Sequence, residues 1–255
     1  MSYTWTDQDF DELVAQSRAQ TPPIDPAEAL LVLFEESGAN PASPGPAAAK
    51  PPVGGLNQMS VPNLTNLGLT RAQWLAMTAA EQLPWVFRWW ASLNHFNDDH
   101  FAADAAELLG LNFLPGAFAN AGAGRNPDAP IAGRLGPYAW AYKDNPLLQN
   151  ETGSITVNTL RAYLAKVAAQ GGVVPSAAGK ARWLSLLAGV HAANERAGSI
   201  EPGNPPDGGQ TPPPSSSPPP APGGGPSFGG GGLASLFLAA GILTWLAMRG
   251  RIGGV

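Results

Sequence analysis

The chain has 255 residues, a formal net charge of -5, no cysteine and three histidines. That length holds one domain of ordinary size with appendages. The acidic balance, with no basic patch, argues against nucleic-acid binding. The lack of cysteine excludes a disulfide framework and thiolate metal sites. His95, His100 and His191 stand at no spacing that resembles a zinc motif, so neither a metal nor another cofactor is expected.

In chain order, the polar and acidic start MSYTWTDQDF lacks the basic and apolar regions of a secretory signal. Residues 3–20 read as an amphipathic helix with Phe10, Leu13 and Val14 on its core face and Thr6 or Asp7 as cap, an N-terminal unit over 1–24. Asp25–Gly38 follows as a stronger helix. Asp25 is placed to cap, Pro26 suits the first helical position, and Gly38 ends the run. Leu30, Leu31, Leu33 and Phe34 supply apolar spacing. Glu35 and Glu36 fall on its last turn, where the helix dipole disfavours a carboxylate. Against an apolar helix end such a group has its pKa raised and serves as a general acid. The plain alternative is a pair of solvated glutamates.

A Pro-, Ala- and Gly-rich loop runs to Gly55, longer than compact domains usually carry. Residues 71–82 predict a helix. Thr78 and Glu81 form a capping box for the aromatic helix EQLPWVFRWWASLNHF. Of its Trp85, Phe87, Trp89 and Trp90, some must be core, and one or two are open to stacking on sugar faces. Further helices are predicted over 101–111, 157–170 and 177–197, the last with Leu184, Leu187 and Val190 at helical spacing. Residues 117–136 read as irregular, and no internal repeat is present.

From residue 198 to 232 the composition falls to Pro, Gly and Ser, a tether that will not fold alone. Leu233–Met248 is apolar and spans about 24 Å as a helix, short of the roughly 30 Å hydrocarbon core until its flanking glycines are added. Arg249 and Arg251 follow at once, which favours a cytoplasm-like side for that end. A transmembrane anchor over 233–249 is the expectation, with an apolar hairpin buried in an oligomer as the alternative.

Several stretches resemble one known family. Glu36-Ser37-Gly38-Ala39-Asn40-Pro41 is similar to the ESGxNP signature of the lysozyme-like lytic transglycosylases of the SLT type. Gly55-Leu56-Asn57-Gln58-Met59 resembles the GLMQ motif that follows in that family, and Glu81-Gln82-Leu83 its EQL helix start. Asn120–Gly124 looks like the tail of an AYNAGPG motif, with Ala119 where the Tyr belongs. Tyr142–Thr156 is similar to a segment of some phage lysozyme-like proteins, but LLQNETGSIT lacks most of the acidic calcium ligands.

The resemblance implies a lysozyme-like helical domain, placed over 25–197; with the linker and anchor read from composition, the expected fold is mainly α: that domain, a disordered Pro/Gly-rich linker and a C-terminal transmembrane helix. It implies cleavage of the β-1,4 bond between N-acetylmuramic acid and N-acetylglucosamine, with Glu36 as the single catalytic acid/base. Ser37, Gly55, Leu56, Asn57 and Gln58 are the implied substrate-binding set, with Asn120, Tyr142 and Asn145 as further candidates. Its partners are then peptidoglycan glycan strands, a membrane through 233–249 and other virion proteins. A wall-cleaving domain on a tether, anchored and without a signal, fits a membrane-associated phage virion protein, with a bacterial membrane-anchored enzyme as the competing location. A non-catalytic lysozyme-fold protein and a hydrolytic muramidase are the alternative functions.

Overall fold

The computed structural model describes residues 3–45, 47, 49, 51–149 and 153–198. The linker expected beyond Gly198 and the anchor expected over 233–249 lie outside the described residues. The described chain is mainly helical, as its apolar spacing predicts. Among the described residues ten α-helices occur: α1 (Asp7–Arg18), α2 (Pro26–Ser37), α3 (Val61–Asn66), α4 (Arg71–Ala76), α5 (Ala79–Ser92), α6 (Ala105–Phe113), α7 (Pro115–Ala121), α8 (Ala139–Asp144), α9 (Val157–Gln170) and α10 (Ala177–Gly198). Two antiparallel pairs accompany them: β1 (Val53–Gly54) with β2 (Met59–Ser60), and β3 (Ala132–Gly133) with β4 (Ser154–Ile155).

Local chemistry sets most of the helix starts. The side chains of Thr6, Asp25, Ser60, Thr70, Thr78, Asp104 and Thr156 each accept a backbone N–H at the first turn of α1, α2, α3, α4, α5, α6 and α9. Gly38, Gly122 and Gly171 close α2, α7 and α9 in the left-handed conformation. The helix expected over 71–82 is two helices, because Met77 is extended (φ -72, ψ 147) and Thr78 starts a new one. Residues 117–136 are less irregular than their composition suggests: Pro115 and Gly122 bracket α7.

Helix α2 is central. Ala29, Leu30, Val32 and Leu33 are fully buried, and the helix is flanked by α1, α6, α9 and α10. Apolar residues nearly all round it are what such enclosure needs. Helix α1 packs on α10 and α5, so Phe10, Leu13 and Val14 join the same core as α2. The inward face of α10 is Trp183, Leu186, Val190 and Ala193. Leu184, expected inside, is 53% exposed, because the stripe runs one residue earlier than Leu184-Leu187 implies.

Helices α1 and α10 meet at Gly189, where a Cβ would overlap the Phe10 ring. Gly189→Ala is therefore expected to lose about 1–3 kcal/mol in urea unfolding despite alanine's better helix propensity; unchanged or higher stability would contradict this packing. A second test concerns Glu107, in the first turn of α6. Burial raises its pKa, against the Ala103 amide and Arg161 at 3.5 Å. The fold favours the neutral form, so this contribution is complete below the ordinary glutamate pKa and is lost as pH rises through the raised value. Glu107→Gln should match the native chain at pH 4 and melt slightly higher at pH 7.

Candidate active site

The last turn of α2 places Glu35 and Glu36 about 100° apart around the helix axis, and both are 1% exposed. They enter different surroundings. Glu36 Oε1 accepts a hydrogen bond from Asn112 Nδ2 on α6 at 2.9 Å. Glu35 Oε1 accepts from the Tyr163 hydroxyl on α9 at 2.8 Å. The expectation of a carboxyl set against an apolar helix end is met twice, once on each side.

No basic residue stands in the last turn of α2. Its end is held from far along the chain. Arg182 on α10 donates to Gly38 O at 3.0 Å, Ala39 O at 3.3 Å and Tyr3 O at 2.7 Å. Trp5 Nε1 donates to Ala39 O at 2.8 Å. The guanidinium thus meets the negative end of the helix with a fork of donors, and its partial burial lowers its pKa.

Beside this end lies the β1–β2 hairpin, whose four-residue loop is Gly55-Leu56-Asn57-Gln58. Gln82, fully buried on α5, clamps it. Its Oε1 accepts from Leu56 N at 2.9 Å, while Nε2 donates to Pro41 O and Trp74 O at 2.8 and 2.7 Å. One amide therefore joins the chain after α2, the hairpin loop and α4. Gly55 has φ +79, and a Cβ there would overlap the Trp74 indole, so packing alone already demands glycine. Leu56 is fully buried.

Asn57 and Gln58 face the carboxyl's neighbourhood. Asn57 Nδ2 donates to Asn112 Oδ1 at 3.2 Å. Gln58 Nε2 donates to Gly55 O at 2.9 Å and Ser43 Oγ at 3.2 Å. Their carbonyl oxygens, Asn57 Oδ1 and Gln58 Oε1, are buried with no hydrogen-bond partner among the described residues. Both residues line a small pocket with Met59, Ser60, Asn63, Trp89 and Asn112, of about 10 Å³, enough for one water. Gln58 also holds φ +45, a conformation uncommon for a residue with a Cβ.

The remaining predicted residues stand elsewhere. The Ser37 hydroxyl donates to Leu33 O at 3.1 Å and accepts from Asn40 N at 3.1 Å, so it shapes the turn after α2. Asn120 is exposed on α7. Tyr142 and Asn145 belong to the α8 region. The Tyr142 hydroxyl accepts from Arg134 at 3.4 Å and lines an open pocket of about 490 Å³ with Arg134, Trp140, Lys143 and Gln149. Asn145 is buried and donates to Ala141 O at 2.8 Å. No hydrogen bond among the described residues joins either of them to Glu36. No group of three or more His, Asp or Glu among the described residues is disposed to hold a metal ion.

Asn112 and Trp89 complete the carboxyl's surroundings, and sequence reasoning did not place them there. The signal for Asn112 was a lone amide inside the apolar helix AAELLGLNF. A buried amide in such a run needs partners of its own. Trp89 was one of four aromatics that spacing alone does not separate. No protein-family model, curated protein or solved structure matches this chain.

Arg182→Ala is expected to cost roughly 2 kcal/mol or more in urea unfolding, because three carbonyls lose a charged donor. Lysine should recover only part of the loss, lacking the planar fork. An alanine variant as stable as the native chain would contradict this role.

Proposed function

We propose that this protein is a peptidoglycan lytic transglycosylase with a lysozyme-like helical domain, in which Glu36 is the catalytic acid/base. The observation that carries the reading is the Glu36 carboxyl. It is buried at the end of α2, held on Oε1 by Asn112, and set beside a hairpin loop with two unpaired acceptors. Near-complete burial disfavours a charged carboxylate, and in this reading Glu36 is the group that carries the proton. A general acid for glycosidic cleavage needs this property.

In the proposed reaction the Glu36 proton passes to the glycosidic oxygen as the bond from C1 of N-acetylmuramic acid breaks. The resulting carboxylate then takes the proton of that sugar's 6-hydroxyl, whose oxygen closes onto C1. The product is a 1,6-anhydro end, no water is consumed, and Glu36 regains its proton. A retaining or inverting hydrolase would need a second carboxylate across the bond. Glu35 is turned toward Tyr163 and does not supply it. Asn57 Oδ1, on the residue that donates to Asn112, is an acceptor in want of a donor, which suits an acetamido N–H or a sugar hydroxyl group. The proposed setting is a phage virion that opens the host wall locally, with residues 233–249 as membrane anchor.

One observation favours a second reading. The pocket beside Asn112 has room for a water and not a sugar, so turnover requires the Gly55–Gln58 loop to move away from Trp89. A protein that keeps this fold for virion assembly or glycan binding would need no such opening. Incubation of the full chain with purified peptidoglycan, followed by mass spectrometry of the muropeptides, distinguishes these. Anhydro-muropeptides that disappear in Glu36→Gln are expected. Reducing-end products would indicate a muramidase, and binding without turnover the second reading.

A further inference from the structure

The four large aromatics of α5 differ in setting. Phe87 and Trp90 are each 1% exposed and belong to the core. Trp85 is half-buried, with the Arg88 guanidinium 5.7 Å from its ring centroid. Trp89 is half-buried, lines the small pocket beside the hairpin loop, and donates its Nε1–H to Asn112 Oδ1 at 3.2 Å. Asn112 Oδ1 also receives Asn57 Nδ2, and an indole nitrogen only donates. These two donors fix which way the Asn112 amide is turned, so its Nδ2 must be the group that faces Glu36 Oε1 at 2.9 Å.

We infer that Trp89 has two separable roles: its ring face is a saccharide-stacking platform beside the acid, and its Nε1–H locks Asn112 as the positioning residue for Glu36. The inference rests on the proposed reading of Glu36 and adds a binding and a positioning residue to it. Trp89 is a partly exposed ring that lines one pocket with Asn57, whose buried carbonyl oxygen lacks a partner among the described residues; once the loop opens, an N-acetylated sugar meets an apolar ring and a hydrogen-bond acceptor together. The indole N–H of the same ring reaches the carboxyl through one amide. Without that donor Asn112 is held only by Asn57, an amide that can itself turn, and an Asn112 oxygen facing Glu36 would accept the carboxyl proton and hold it back from the substrate.

The two roles separate by substitution in the full chain. Trp89→Phe keeps an aromatic face and removes the N–H; kcat should fall about 5-fold or more, one lost hydrogen bond, with KM within about 2-fold. Trp89→Leu removes both; KM should also rise about 5-fold or more, as expected for a lost stacking face. An unchanged kcat in Trp89→Phe overturns the positioning role, and an unchanged KM in Trp89→Leu overturns the platform.

Two readouts are independent of turnover. Binding of N,N′,N″-triacetylchitotriose, followed by isothermal titration calorimetry, should persist in Trp89→Phe and weaken in Trp89→Leu; equal binding in both contradicts the platform. The Trp89 indole N–H resonance, identified by its loss in Trp89→Phe, should shift with pH in the native chain and stand still in Glu36→Gln. Glu35 remains in that variant as the other buried carboxyl of this helix end, so an unaltered pH response there overturns the relay. If native protein produces no muropeptides while both readouts hold, the enzymatic reading fails and this one stands.

Discussion

Two carboxyl groups buried side by side on the last turn of α2 are the constraint around which this fold is arranged. Buried acids need hydrogen-bond donors, and a helix C-terminus repels them. Asn112 on α6 and Tyr163 on α9 provide a donor to each, from opposite sides. Arg182 on α10 and Trp5 ahead of α1 cover the helix end itself. Four elements distant in sequence therefore converge on one turn, and α2 becomes the enclosed axis of the domain.

The hairpin loop is fastened with equal economy. Gln82 links the chain after α2, the loop and α4 through three hydrogen bonds from one fully buried amide. Gly55 admits the Trp74 indole that packs beneath it. Against this rigid frame, the other end of the loop is less settled. Gln58 sits at positive φ, and two buried carbonyl oxygens lack partners among the described residues. Such features concentrate where a protein binds something or moves. The loop is firmly anchored at Gly55 and Leu56 and less settled at Asn57 and Gln58, where it rejoins β2.

Much of this was legible in the chain, for reasons that are local. Asp25, Pro26 and Gly38 announce both ends of α2, and Thr78 the start of α5, because caps act over three or four residues. The apolar run before Glu35 and Glu36 left a buried and a solvated pair both open, and the structure buries both. What was not legible depends on contacts across the fold. Asn112, Tyr163 and Arg182 meet α2 over 76 to 144 positions of sequence separation, and no spacing rule encodes such meetings. Pro62 and Pro115 stand in the first turns of two short helices, the second hidden by its Gly- and Ala-rich surroundings. Ser37 and Gly55 stood in motif positions that suggested substrate contact, yet each has a sufficient structural occupation in the turn and beneath the loop.

The account turns on the protonation of one side chain. Selective carbon-13 labelling of glutamate, with Glu36→Gln to assign its carboxyl resonance, allows that group to be titrated directly in the folded protein. A midpoint displaced well above that of an exposed glutamate is the predicted result. A midpoint at or below the ordinary value would mean that residue 36 is an anion at neutral pH, and the proposed acid would not exist.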